Sequence, residues 1–119
     1  MAGIWDTLIK PSANPDDWYA EATNQAGHSA IIGMPLAVLV LALGVYPVAV
    51  PVIVAAIYGI IWEAIAQHGA DWRDSLMDTA HVMSGASIIV GALVFGFWTC
   101  LAALGIWLCL IALGVWTRL

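Results

Sequence analysis

Positive charge is almost missing from this chain. Lys10, Arg73 and Arg118 are its only Lys or Arg in 119 residues, and the net charge at pH 7 is −5. Phosphate backbones are bound by clustered Lys and Arg, so a nucleic-acid partner is not expected. Strong attraction to anionic lipid is not expected either, for the same reason. Charge of either sign is scarce, at 9% of residues, while 63% are hydrophobic. A water-soluble domain of this length needs far more polar surface. Cysteine is limited to Cys100 and Cys109, both inside one apolar run. Nine positions apart on one helix, they cannot reach each other, and they read as small apolar fillers rather than a disulfide. GxSxG, HExxH, CxxC and phosphate-loop motifs are absent, so no motif names a reaction, and no cofactor is expected.

What is present is long apolar sequence. Ile31 to Ile61 and Val82 to Thr117 contain no charged residue. Runs of this length span bilayers, since about 20 apolar residues in a helix cross ~30 Å of hydrocarbon. Backbone groups in lipid must bond within their own segment, which makes the spans helices. The expected fold is an all-α integral membrane protein with four transmembrane helices, at about 29–45, 48–66, 74–97 and 99–116. Tyr46, Pro47 and Pro51 mark the first turn, and Pro35 is a candidate kink. The 36 residues from Val82 to Thr117 would be ~54 Å of straight helix. Projecting such surface into water is unfavourable by about 25 cal/mol per Å². The run is therefore expected to fold back near Gly96 to Thr99, with three spans and a long third as the fallback. Four spans bring Lys10, Arg73 and Arg118 to one membrane face, which the positive-inside rule makes cytoplasmic, with both termini there.

Residues 1–14 read as an interfacial segment and 15–119 as one transmembrane domain. Ile4, Trp5, Leu8 and Ile9 give a short amphipathic helix that Pro11 ends. Asn14, Pro15, Asp16 and Asp17 form a helix-start signal. The first thirty residues lack the continuous apolar core and basic start of a signal peptide, so they are expected to stay on the mature protein.

Polarity gathers on three stripes. Glu21, Gln25 and His28 follow one another at i, i+4, i+7, and so do Asp74, Asp78 and His81; Glu63 and Gln67 are four apart. The four-span topology puts all three stripes on one side, as a polar pocket at the cytoplasmic interface. An ionisable group at mid-span is disfavoured by about 2.5–3.5 kcal/mol, so those that persist face a bundle interior and often have a task. Glu63, Asp78 and His81 are the candidates for acid–base chemistry. The plain alternatives are a solvated loop with helix capping at Asp71, Arg73 and Asp74, and histidines that only bond across helices. Asp78-x-x-His81 has the spacing of a carboxylate di-metal element, but such sites need it twice, and no metal is expected. Passage of ions or protons along the stripes is a further possibility. A second pattern runs through Gly85, Ser87, Gly91, Ala92 and Gly96, small residues that let membrane helices approach closely. They suit either internal packing or self-association. Span four, with Trp107 and Trp116, reads as lipid-facing.

Glu63-x-x-x-Gln67 followed by Arg73, Asp74, Asp78 and Gly85 resembles the polar loop of VanZ-like bacterial membrane proteins, over about 25 residues; His81 stands where those proteins tend to carry Asn. The resemblance implies a small polytopic envelope protein linked to glycopeptide-type resistance. In overall build the chain is similar to phage and bacterial holin-like proteins: short, helical and rich in small residues. The expectation is an oligomerising component, or accessory subunit of a membrane complex, in a bacterial or phage-encoded inner membrane. The alternative is a VanZ-like envelope protein or enzyme.

Overall fold

A computed structural model of the chain describes residues 18–61 and 72–117. Glu63, Gln67, the amphipathic piece and the helix start at Asn14 and Pro15 lie outside them. The described residues are helical, with no strand among them. Four helices follow in order: α1 Trp18–Ala42, α2 Pro47–Ile61, α3 Trp72–Phe95 and α4 Phe97–Trp116. Of these, α1, α3 and α4 have 25, 24 and 20 residues and are long and apolar enough to cross a bilayer. The described part of α2 is also apolar but shorter.

Each turn follows from local chemistry. α1 stops at Gly44, whose φ of 83° is the left-handed conformation that glycine tolerates. Gly44 N–H donates to the Leu41 carbonyl at 3.0 Å and Val45 N–H to that of Val40 at 3.4 Å, the paired bonds of a Schellman stop. Pro47 then opens α2. Within α1 the turns of His28–Gly33 widen to a π-helix just ahead of Pro35. A proline ring crowds the preceding turn and removes one N–H, and a widened turn accommodates both effects.

The apolar run from Val82 to Thr117 is two helices, which removes the fallback of one long helix. The break lies at Gly96, with φ 97° and ψ −177°, a region essentially restricted to glycine. Gly96 N–H closes α3 by donating to the Gly91 carbonyl at 2.7 Å, and Cys100 N–H opens α4 on the Gly96 carbonyl at 3.2 Å. α4 returns along α3: a Cβ on Gly91 would meet Cys100 N at 2.9 Å. One glycine conformation supplies the turn that the surrounding Phe, Trp and Thr do not signal.

α3 is the central helix, packed against α1, α2 and α4. The apolar core joins Ala37 and Val40 of α1, Val50, Val54 and Tyr58 of α2, and Val82, Ala86 and Val90 of α3; α4 supplies none of it. α1 and α3 meet backbone to backbone. A Cβ on Gly33 would collide with the Val82 carbonyl, and one on Gly85 with the Ser29 carbonyl. Gly85→Leu is accordingly expected to lower stability by about 1–3 kcal/mol, as overpacking does. Gly105→Ala, with nothing within 4 Å of the added carbon, should leave it unchanged or slightly higher. Unfolding in mixed detergent micelles, titrated with SDS, checks both.

Candidate functional site

The inward stripe of α1 changes character along its length. Ala37 and Val40 are apolar, whereas Glu21, Asn24, Gln25, His28 and Ser29 are polar and also buried. Opposite them α3 buries Asp78, His81 and Ser84. The structure thus brings Glu21, Gln25, His28, Asp78 and His81 into the packed region between α1 and α3. Glu21 is 4% exposed, Asp78 3%, and His28 and His81 0%. Asp74 stays half-buried nearer the start of α3. Exposed Arg73 lays its guanidinium over the Trp72 ring, 5.4 Å from the centroid.

Gln25 is the hinge of the cluster. Its amide NH₂ donates to Asp78 Oδ1 at 2.9 Å and to Glu21 Oε1 at 3.2 Å, joining two carboxylates on two helices. An amide suits this place because it offers two hydrogens from one nitrogen. His28 lies on the other side of Asp78. Its Nδ1 is 2.9 Å from the Asn24 carbonyl oxygen, and its Nε2 is 3.5 Å from Asp78 Oδ2. A carbonyl only accepts, so Nδ1 carries a hydrogen and Nε2 is turned toward the carboxylate. The Tyr58 ring of α2 packs edge-on against His28, with centroids 5.7 Å apart, and closes the cluster on its apolar side. On α4, Gly114 faces Glu21: a Cβ there would stand 3.3 Å from Glu21 Oε1.

His81 follows Asp78 by three residues. Neither of its ring nitrogens has a hydrogen-bond partner among the described residues, and the same holds for Asn24 Oδ1, Gln25 Oε1 and Trp107 Nε1. The His81 backbone is held instead, since Ser29 Oγ donates to its carbonyl at 2.7 Å. Trp107, expected on the outward face of span four, is half-buried, because α4 turns that side toward the bundle. Among the described residues no three His, Cys, Asp or Glu side chains gather as a metal-holding group.

The small-residue pattern is divided in its use. Gly85 and Gly91 are buried in contacts within the chain, against α1 and α4. Gly96 makes the turn, Ala92 is exposed, and Ser87 donates back to the Met83 carbonyl of its own helix at 2.9 Å. Asn24, Ser29, Gly33, Tyr58 and Gly114 belong to the site or its framework and were not expected there. A signal existed for two of them, as Ser29 and Gly33 are a small-xxx-small pair. Nothing in the order of residues marks Tyr58 or Gly114.

Replacing Gln25 by Leu keeps the bulk but removes the donor shared by the two carboxylates. The expected loss is about 1–3 kcal/mol, that of leaving buried acceptors short of a donor. Ser29→Ala should be milder, at about 0.6–1.5 kcal/mol. SDS-titrated unfolding of both variants reads the difference. Compared with protein-family models, curated proteins and solved structures, the chain matches none of them, so a function for the site rests on the chemistry of its own residues.

Proposed function

We propose that the chain is a small multi-pass membrane protein, crossing a bacterial or phage-encoded inner membrane four times with both ends cytoplasmic. In this reading it works as a self-associating component, or as an accessory subunit of a larger membrane complex. The observation that carries its membrane character is an inverted distribution of polarity. Large apolar side chains stand on the outer surface, among them Leu43 at 82%, Trp98 at 78% and Trp116 at 76% exposed, while the acids and imidazoles of the cluster are enclosed. In water such a surface would drive aggregation; in hydrocarbon it is solvated, and the polar groups belong inside. α4 supports the same view, since it turns Leu101, Ile106, Leu108 and Leu113 outward.

A second reading keeps the VanZ-like resemblance. It is favoured by the burial of Asp78 and His81, two of the positions compared with that family, against a second acid–imidazole stripe. In it the cluster would serve an envelope lipid substrate together with Glu63.

Cysteine substitutions at Asp71 and Arg118, labelled from either side of sealed vesicles, should both react from the cytoplasmic face. Reaction of Arg118→Cys from the opposite face would remove the four-span topology. Purified protein in mild detergent should migrate as a multimer; a monomer at every concentration would remove self-association. If Glu63→Gln expresses normally and still supports wild-type behaviour in a glycopeptide-resistance assay, the VanZ-like reading fails.

A further inference from the structure

The hydrogen positions in the cluster are constrained by its acceptors. His28 Nδ1 must carry a hydrogen, because its neighbour at 2.9 Å is a backbone carbonyl. That leaves Nε2 facing Asp78 Oδ2 at 3.5 Å. A neutral imidazole with its hydrogen on Nδ1 presents a lone pair at Nε2. Set against an ionised carboxylate, two electron-rich atoms would oppose each other in a buried site, where such repulsion is weakly screened. Either Nε2 is protonated and the pair is imidazolium–carboxylate, or Asp78 carries the proton beside a neutral imidazole. Both descriptions contain one proton more than the imidazole–carboxylate form.

Other polar groups surround the pair. Gln25 holds Glu21 and Asp78 through one amide nitrogen, so two carboxyl groups approach from two helices. His81, on the same helix as Asp78, is fully buried, its ring nitrogens without hydrogen-bond partners among the described residues, and it lies within electrostatic reach of His28.

We propose that the His28–Asp78 pair, braced by Gln25 and Glu21 and adjoined by His81, is a buried proton-binding site that takes up and releases a single proton. Loading forms one N–H or O–H bond within the pair. Release breaks that bond, and the proton passes to a water-borne base; no electrons change hands. The groups facing the pair are Glu21 from α1, Tyr58 from α2 and His81 from α3, with Asp74 one turn before Asp78. α4 brings Gly114 to Glu21, and its Cys100 lies far off beside Gly91. The proposal stands whether or not the chain self-associates, since both partners of the pair belong to one chain.

The test uses the full chain in lipid nanodiscs with ¹⁵N-labelled histidine, taken from about pH 4 to pH 9, the range that brackets imidazole and carboxyl chemistry. Infrared difference spectra report carboxyl protonation, and side-chain ¹⁵N shifts report each imidazole nitrogen. In the wild type the carboxyl band and the His28 Nε2 signal should change together, with one midpoint and the amplitude of one proton. Asp78→Asn should abolish the joint carboxyl change, and so should His28→Gln, with helix content retained in both. If the wild-type spectra show no shared transition, the proposal is overturned without recourse to any variant. It is equally overturned if Asp78→Asn leaves the His28 transition and the carboxyl band as they were.

Discussion

The architecture depends on how closely α1 and α3 approach. Gly33 lies on the Val82 carbonyl and Gly85 on the Ser29 carbonyl, so the two backbones touch where other helices would hold side chains between them. Such close contact is what dispersion and polar bonds between helices need to act. It also gives the Ser29 hydroxyl its reach to the His81 carbonyl. Everything polar in the site sits around this crossing. Move the helices apart by one methyl group and Gln25 no longer reaches Asp78.

The π-helical turns of α1 belong to the same arrangement. Widening at His28–Gly33 answers the proline one turn later, and it is also the segment that presents His28, Ser29 and Gly33 to α3. A regular helix would place these residues at other angles. Local backbone chemistry and site geometry therefore share a cause, a frequent role of π-helical segments in proteins. On the opposite flank α4 packs through Gly91 beside Cys100, Gly114 beside Glu21, and a half-buried side that includes Leu104, Trp107 and Leu110. Its outward Leu, Ile and Trp residues lie outside the core described above, and such a surface is compatible with a membrane.

The polar cluster shows how unequal two similar stripes can be. Glu21, Gln25 and His28 are a turn apart, as are Asp74, Asp78 and His81, yet Asp78 alone stands between Gln25 and His28. Asp74 remains half-buried near the helix start. The i, i+4, i+7 spacing predicts a shared face for each set and nothing about which members meet across the interface. That depends on the height and rotation of one helix against the other, which the glycine contacts set. His81 illustrates the limit further. Its place on the stripe is legible, but that its two ring nitrogens lack partners among the described residues follows only from what surrounds it.

By itself the order of residues determines the helical class, the long apolar runs and the polar faces on α1 and α3, because periodicity and hydropathy are local properties. It also narrows the reversal in the last apolar run to a few positions ending at Thr99. Tertiary structure alone decides that Gly96 is the residue that turns, that Gly85 and Gly91 are used within the chain, and that Tyr58 and Gly114 border the acids. These outcomes depend on distances between segments far apart in sequence. A glycine looks the same in a sequence whether it makes a turn, admits a neighbouring backbone or faces open space, and only packing distinguishes the three.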